Sequence, residues 1–353
     1  MSLNLEFFER TTNITARVIA DSISEAGHRI TTFEIEYPRF IHGELMTHRM
    51  LSKNSSSSRA IPINKMLEQI ESNMAIPVYW GKNKSGMQAV EEVSRFDEVK
   101  SVLNWERSYN YTKERILEMV ELGLHKQVPN RLSEPFQMMK VVITGTDWDN
   151  FFNLRIHPNA QPEICLLAYK MYKAMQESSP NTLRGGEWHL PYVEISQDQY
   201  NPKDTYYFLW DKDCTGTETD GYMYEQRLSL EDAIKYSAAS CASVSYRTEG
   251  MTLEKADKIF DMLINAEVIH ASPFEHLATP ILKELEIENS DYLTVGFINK
   301  SYDPSTWQKG VTHMNRNGEL CSGNLRGFIS YRHQLPNNTN WSFDYEERMK
   351  LFK

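Results

Sequence analysis

A short polar stretch, "THRMLSKNSSSSRAIP" from Thr47 to Pro62, carries residues of the kind that bind anions. The basic residues His48 and Arg49 precede a run of four serines, and Arg59 follows it. Small side chains let backbone N–H groups approach a phosphate, and a guanidinium can add a bidentate pair. Serine-rich stretches are also typical of solvated linkers, because serine bonds its own backbone. The run is short and lies between segments predicted to be ordered, which favours an anion-binding loop.

Two further arginines are candidates for the same site. Arg131 lies in "PNRLSEP", and Arg155 lies near the end of a predicted helix that also carries Asn150. A lone arginine is more often a surface or ion-pair residue than a ligand. The three arginines form one site only if the fold brings them together, and their spacing does not decide this.

A second polar stretch, "HASPFEH", places His270 five residues before Glu275 and six before His276. The common helical zinc pattern needs two histidines four residues apart with a glutamate between them, and this stretch contains Pro273. It therefore predicts a turn capped by Ser272, and no metal site.

The overall charge and composition limit the classes of function. The chain has 353 residues, of which 41% are hydrophobic and 24% charged, and its formal net charge is −10. The composition is typical of a globular protein, and the charge argues against a general binder of polymeric nucleic acid or of anionic membranes. No stretch approaches the roughly 18 apolar residues of a membrane span, and we expect no signal peptide. Because no CxxC or metal spacing occurs, we predict a reducing cytoplasm and buried thiols at Cys165, Cys214, Cys241 and Cys321.

The order of predicted elements indicates an α/β (α+β) protein. "NITARVIADSIS" and "HRITTFEIEY" predict two strands joined at Gly27, and "DWDNFFNLRI" predicts a helix capped by Asp147. Residues 89–124 have helical spacing, and further helices are predicted in "INKMLEQIESNM", "QPEICLLAYKMYKAMQES", "SLEDAIKYSAASCASVSY" and "TLEKADKIFDMLINA". We predict three parts: 1–180, a connecting segment 181–228 with a few short strands, and 229–353.

Several of these motifs carry a resemblance to a known family. "HRMLSKNSSSSR" resembles the signature of flavin-dependent thymidylate synthases, which runs Arg-His-Arg, seven residues and Ser. "RLSEP", "NFFNLR" and "NAQPEI" resemble later parts of that family in the same order. "SAASCASVSY" and "HASPFEH" resemble its opening part, which in the family precedes the signature but in this chain follows it. The resemblance covers about residues 29–180 and 232–280, and it indicates a circularly permuted or rearranged member with the family's central sheet and long helices.

The resemblance implies a chemistry and a set of partners. The family converts dUMP to dTMP with FAD, methylenetetrahydrofolate and NADPH, and reduced flavin supplies the hydride and carries the one-carbon unit. No protein cysteine attacks the pyrimidine. Family sites are built between subunits, so a homo-oligomer, either a dimer or a tetramer, is expected.

The resemblance also implies residue roles. Nucleotide-binding positions are Glu44, Ser55, Ser56, Ser57, Ser58, Arg59, Arg131 and Arg155, of which Ser57 and Arg155 are expected to be catalytic. Cofactor-binding positions are His48, Arg49, Asn54, Asn150, Asn159, His270, Ser272 and Glu275.

Four positions depart from the family pattern. Thr47 replaces the first basic residue of the signature, Ser55 replaces a glutamate, Glu44 replaces a glutamine, and Asn159 replaces a histidine. These changes alter charge near the expected flavin and pyrimidine and leave the phosphate-binding residues in place. Arg332 and His333, in "ISYRHQL", could compensate or could simply end a surface helix.

The leading hypothesis is flavin- and folate-dependent one-carbon transfer to C5 of a pyrimidine deoxynucleotide, giving dTMP from dUMP. A hydroxymethylase with the same active site is the alternative enzyme. The alternative from another class is a non-catalytic nucleotide-binding homologue. The sequence does not distinguish a uracil from a cytosine base.

Overall fold

The structure is a computed structural model of the chain. It describes residues 13–86, 89, 91–197, 205–210, 225–245, 250–282, 303–339 and 342–352.

A five-stranded sheet forms the centre of the fold. Its strands run in the order β3-β4-β2-β1-β5, and all neighbours are antiparallel except β1 and β5, which are parallel. The β1–β2 hairpin turns at Gly27, whose φ of +85° is a conformation that glycine adopts without strain. The strands are β1 (Thr15–Ser24), β2 (Arg29–Pro38), β3 (Ser52–Ser55), β4 (Met138–Gly145) and β5 (Asn181–Leu183).

Helices occupy the connections between strands and much of the second half of the described chain. They are α1 (His42–Met46), α2 (Ile63–Ser72), α3 (Arg95–Glu121), α4 (Pro129–Leu132), α5 (Asp149–Arg155), α6 (Pro162–Glu177), α7 (Leu230–Ala242), α8 (Leu253–Ile264), α9 (Tyr331–Gln334) and α10 (Tyr345–Lys350). Short 3-10 turns lie at Arg39–Ile41, Glu134–Phe136, Ser272–Glu275 and Pro304–Thr306. No helix of the described ranges is long and apolar enough to cross a membrane.

Smaller strand pairs complete the architecture. A three-stranded antiparallel sheet contains β6 (Glu194–Gln197), β7 (Thr205–Trp210) and β8 (Glu225–Leu228). Another contains β10 (His313–Met314), β11 (Leu320–Ser322) and β12 (Leu325–Arg326), while β13 (Phe328–Ser330) pairs with β9 (Ala278–Pro280).

One face of the central sheet is the main hydrophobic core. Phe33 and Ile35 of β2 alternate with polar residues and meet Val141 and Ile143 of β4 in register. Helices α5 and α6 cover this face, with Phe151 and several fully buried residues of α6 in the same cluster. Burial of such side chains supplies about 1.5–3 kcal/mol each, so this face anchors the sheet that carries the signature stretch.

The opposite face carries a buried row of polar side chains. Thr32 and Thr144 face each other across β2 and β4, with their hydroxyl oxygens 2.7 Å apart. His189 bonds Thr32 at 2.8 Å through Nε2 and Ser22 at 2.9 Å through Nδ1, and His276 Nδ1 lies 2.7 Å from the Thr144 hydroxyl. All five side chains are at most 1% exposed. We call this row the buried hydrogen-bond chain, and it ties the region after residue 180 to the sheet.

The α/β class and the predicted helices are confirmed, as are the hairpin at Gly27 and the short strands among the described residues of 181–228. Two local predictions are wrong. Asp147 does not cap α5, which begins after Trp148, because its carboxylate instead bonds Arg326 Nε at 3.0 Å. The serine run is not wholly a loop, since Ser55 ends β3. The division into three parts and the permuted motif order stay predictions.

Candidate functional site

Arg155 joins the helix α5 to the signature stretch. Its Nε donates to His48 Nε2 at 2.8 Å, and its two terminal nitrogens donate to Glu44 at 3.0 Å and to the Thr47 hydroxyl at 3.4 Å. A guanidinium has no acceptor, so His48 Nε2 must offer a lone pair and its proton must lie on Nδ1. Three positions implied by the resemblance, Glu44, His48 and Arg155, are therefore brought together.

His48 is neutral at physiological pH. Burial, together with the nearby charges of Arg155 and Lys53, lowers its pKa to about 4. Its ring packs edge-on against Phe151 with centroids 4.9 Å apart, which fixes its orientation. It can therefore hold Arg155 without adding a second positive charge.

A cleft of about 670 Å³ opens beside this cluster. Glu44, Arg155 and Asn159 line it together with aromatic side chains, and its wall is completed by backbone and side chains of 158–163. Apolar walls with a few convergent polar groups are typical of small-molecule sites. The aromatic members are Phe40, Tyr79 and Trp105.

Backbone groups of the serine run already have hydrogen-bond partners elsewhere in the fold. The backbone N–H of Ser56 donates to Lys140 O at 2.8 Å, and that of Ser57 donates to the Ser245 hydroxyl at 2.8 Å. Ser58 is 5% exposed, and its carbonyl accepts from Asn130 at 2.7 Å. A phosphate held by the N–H groups of Ser56 and Ser57 would have to displace these bonds.

Arg59 and Arg131 share a different cleft, of about 610 Å³. Both side chains are exposed, and Arg131 also bonds Glu134 at 3.0 Å. This cleft has no lining residue in common with the one beside Arg155. The structure thus groups two of the three candidate arginines and places Arg155 elsewhere, with residues that precede β3.

The two motif regions meet at β3 although they are far apart in sequence. Asn54 donates to Cys241 O, at the end of α7, at 3.3 Å, and His276 reaches Thr144 on the neighbouring strand. Lys53 donates to His48 O and, at 2.9 Å, to Leu51 O. Burial lowers the Lys53 pKa to about 8, against the opposing effect of the Glu275 carboxylate. Lys53 is thus a link between the motifs that sequence reasoning missed, because it matches no position of the family pattern.

Glu275 is held by the tail of the chain. Its carboxylate pairs with Arg332 of α9, whose guanidinium also donates to Asn338 O at 3.4 Å. His333 bonds the hydroxyls of Ser322 and Ser330 at 3.1 and 2.8 Å. Both residues lie in the last turn of α9, as their sequence suggested, but they are half-buried and partnered rather than free at the surface.

The remaining candidates lie at the surface. Their side chains are solvent-exposed, and of these five residues only Asn159 lines the cleft beside Arg155; they are Arg49, Asn150, Asn159, His270 and Ser272. In the described part of the chain, no group of three or more His, Cys, Asp or Glu side chains is placed to hold a metal ion.

A model of a known protein family matches the stretch of chain that carries Glu44, His48 and Arg155. Residues 20–181 match the family model Thy1, thymidylate synthase complementing protein. The sequence resemblance is thereby confirmed over the part of the chain that carries the signature stretch, α5 and Arg155.

Solved structures give a weaker likeness. The chain resembles the UMP/dUMP methylase PolB from Streptomyces cacaoi, bound with 5-Br UMP, at 18% identity and a TM-score of 0.41, over 47% of this chain and 90% of that one. PolB bound with 5-Br dUMP gives 17% identity and a TM-score of 0.40, over 47% and 91%. No match was found among curated protein sequences.

Proposed function

We propose that this protein is a flavin- and folate-dependent enzyme that transfers a one-carbon unit to C5 of a pyrimidine deoxynucleotide, giving dTMP from dUMP. One observation carries the proposal. The Thy1 signature stretch and the Ser272–Glu275 turn, separated by more than half of the chain, pack on the same strand of the central sheet. Both motifs that the resemblance assigns to the flavin and the nucleotide therefore border one region of the surface.

The cleft with Arg59 and Arg131 supports the phosphate part of the proposal. A nucleoside monophosphate carries two negative charges, and two exposed guanidiniums provide the bidentate donors that a phosphate prefers. The donor set therefore fits a nucleotide phosphate.

The cleft with Arg155 supports recognition of a planar ring. The Arg155 guanidinium is fixed by neutral His48 on one side and by the Glu44 carboxylate on the other, so its orientation is set before a ligand enters. Aromatic walls suit a pyrimidine or an isoalloxazine ring, and Asn159 and Glu44 add hydrogen-bonding capacity. In this proposal Arg155 acts on the base, and Ser57 presents its exposed hydroxyl to the nucleotide.

The flavin would lie over β3 between the two motif regions. His48, Arg49, Asn54 and Asn150 would hold it from the signature side, and His270, Ser272 and Glu275 from the turn. The donor set fits a diphosphate-bearing cofactor because exposed Arg49 and His270 can reach anionic oxygens, while half-buried Lys53 keeps a positive charge nearby. Bound FAD would supply the hydride and carry the one-carbon unit from methylenetetrahydrofolate, and NADPH would reduce it.

Flavin binding is the first test. Purified protein should carry FAD or bind added FAD, which its visible absorbance reports, and His270→Ala should retain less of it than the wild type. His125→Ala, which removes an exposed histidine far from β3 in sequence, is the matched control. If the purified protein neither carries nor binds FAD, the catalytic proposal is wrong. The alternative, a non-catalytic nucleotide-binding homologue, would then be favoured.

Nucleotide binding is the second test. A charge-assisted hydrogen bond is worth about 1.5–3 kcal/mol, so Arg59→Ala should weaken dUMP binding roughly tenfold to a hundredfold. The loss for deoxyuridine, which has no phosphate, should be much smaller. Calorimetry with flavin present compares both ligands, with the exposed Arg316→Ala as control. Equal losses of affinity for the two ligands would indicate that the serine run is a linker and not a phosphate-binding loop.

Product analysis distinguishes the remaining alternatives. Incubation with reduced flavin, methylenetetrahydrofolate and either dUMP or dCMP, followed by mass spectrometry, reports the base that is used. A methyl product supports a thymidylate synthase-like enzyme, and a hydroxymethyl product supports the alternative hydroxymethylase. A cytoplasmic location and a homo-oligomer are part of the same proposal.

A further inference from the structure

A second space borders the serine run. It has a volume of about 230 Å³, and none of its lining residues lines the cleft beside Arg155 or the cleft with Arg131. Ser56 and Ser58 line this space, whereas Arg59, the next residue along the chain, lines the cleft with Arg131. The serine run therefore borders two separate spaces, and only the one at Arg59 has a role in the proposed function.

Two residues of opposite charge line this second space without forming an ion pair. Glu36 of β2 and Lys140 of β4 are paired directly across the central sheet. Side chains in such positions have Cβ atoms about 4.5–5.5 Å apart, which is close enough for an ion pair. Among the described residues, however, neither Glu36 nor Lys140 has an ion-pair partner. We call this space the Glu36–Lys140 cavity, and both of its charges are available to a ligand.

Asn73, directly after α2, adds a hydrogen-bond acceptor that lacks a donor. Its side-chain nitrogen donates to Glu36 Oε1 at 3.3 Å, whereas its buried Oδ1 has no hydrogen-bond partner among the described residues. Such an acceptor destabilises the fold, because it has lost its bonds to water and gained none in return. Burial also raises the pKa of the Glu36 carboxyl, against the opposing effects of Lys140 and Asn73. Two neighbouring acceptors therefore require a ligand that offers more than one N–H group.

The charges and acceptors together define the class of ligand. A primary ammonium group has three N–H donors and can serve both the Glu36 carboxylate and Asn73 Oδ1. The Lys140 ammonium needs an anion, and Arg39, which also lines the cavity, already bonds Glu134 at 2.9 Å. A ligand with one charge alone would meet a group of its own sign in the same cavity. We infer that the cavity binds a free amino acid, with its ammonium at Glu36 and its carboxylate at Lys140.

The remaining walls limit the side chain of this amino acid. Most of them are apolar, and they are formed by Ile61, Met66, Met138 and Val244. The cavity has the liquid volume of roughly eight water molecules, which suits a compact ligand. An amino acid with a short apolar side chain therefore fits both the size and the chemistry, and L-valine is a suitable probe.

Fragments of the probe test whether both charged groups are needed. Calorimetry with purified protein, without FAD or dUMP, compares L-valine with isobutylamine, which lacks its carboxylate, and with isovalerate, which lacks its ammonium. L-valine should bind, and each fragment should bind at least about tenfold more weakly, because each leaves one charged group of the cavity without a partner.

Substitutions test the two assigned contacts separately. Glu36→Gln and Lys140→Met should each weaken L-valine binding by roughly tenfold to a hundredfold. L-valine should then bind Glu36→Gln no better than isovalerate does, and Lys140→Met no better than isobutylamine does. This crossed pattern distinguishes the loss of one contact from a loss of the fold. Glu254→Gln and Lys258→Met, which remove an exposed ion pair of α8, are the matched controls and should have no effect.

Chemical labelling tests the cavity in the wild-type protein. L-valine should slow the acetylation of Lys140, measured by mass spectrometry, and leave that of Lys258 unchanged. No binding of L-valine at about 10 mM, fragments that bind as tightly as L-valine, or an unprotected Lys140 would each overturn the inference and leave a cavity filled by water. None of these measurements uses flavin or nucleotide, so a failure of the proposed function does not affect them.

Discussion

The buried hydrogen-bond chain should make Thr144 one of the most sensitive polar positions in the sheet. Its hydroxyl lies between Thr32 and His276, 2.7 Å from each, in the centre of a row that is shielded from water. Thr144→Val keeps the β-branched shape and removes only the hydroxyl. The substitution therefore isolates the hydrogen bonds from the packing.

The expected loss follows from the two bonds removed. A buried group that loses its partner costs about 1–3 kcal/mol, because it has been desolvated and cannot return to water. Thr32 keeps its bond to His189, which moderates the loss on that side. We expect Thr144→Val to lower the free energy of unfolding by about 2–4 kcal/mol, a large share of the roughly 5–15 kcal/mol typical of a domain.

Urea denaturation followed by circular dichroism measures this loss. The midpoint should fall while the slope with denaturant stays unchanged, since the surface exposed on unfolding is the same. Thr15→Val, at the exposed start of β1, is the matched control and should shift the free energy by no more than about 0.5 kcal/mol. Thr144→Ser restores the hydroxyl and should recover most of the loss. A Thr144→Val protein as stable as the control variant would show that these bonds do not stabilise the fold.

Two further predictions concern titratable groups. Burial lowers the His189 pKa to about 4, so between the ordinary value of 6.5 and about 4 the unfolded chain binds a proton that the folded chain does not. The free energy of unfolding should therefore fall by up to about 3 kcal/mol as pH drops through this window, which denaturation at a series of pH values measures, and a His189→Gln protein should lack this contribution. Burial raises the thiol pKa of Cys165, Cys241 and Cys321, so single substitutions to Ala in protein that still folds should keep turnover, whereas loss of turnover in one well-folded variant would indicate covalent thiol catalysis. Cys214 lies outside the described residues and should behave in the same way.

Local patterns predicted the scaffold well. The alternation in "HRITTFEIEY" specifies a strand with one buried face, and the structure buries Phe33 and Ile35 on that face. Ser229 and Thr252 cap α7 and α8, and each side chain accepts a hydrogen bond from the backbone N–H of the third helical residue. Such a cap depends only on residues within one turn of the helix start. Periodicity and caps depend on neighbours within a few residues, so one sequence is enough to read them.

Contacts between distant residues could not be read in this way. The sequence offered Arg59, Arg131 and Arg155 as one set, but a guanidinium binds whichever acceptor the fold brings near. His48 and Glu44 accept hydrogen bonds from Arg155, while Arg59 and Arg131 line a separate cleft. The donation from Ser57 N–H to Ser245 is of the same kind, because it joins two loops whose proximity depends on the packing of α7 on the sheet.

The separation of these arginines within one chain makes a prediction about how the site is assembled. If the nucleotide is held by Arg59 of one copy and Arg155 of another, each single variant, Arg59→Ala and Arg155→Ala, loses activity, yet their co-expression produces mixed dimers. In a mixed dimer one site carries both substitutions and the other carries neither, so about a quarter of all sites in a random mixture of dimers are wild type. Turnover of co-expressed variants should then recover to roughly a quarter of the wild-type rate, with wild-type affinity for dUMP. A site built from a single chain would carry one substitution in every copy, and the mixture would stay as inactive as its parents.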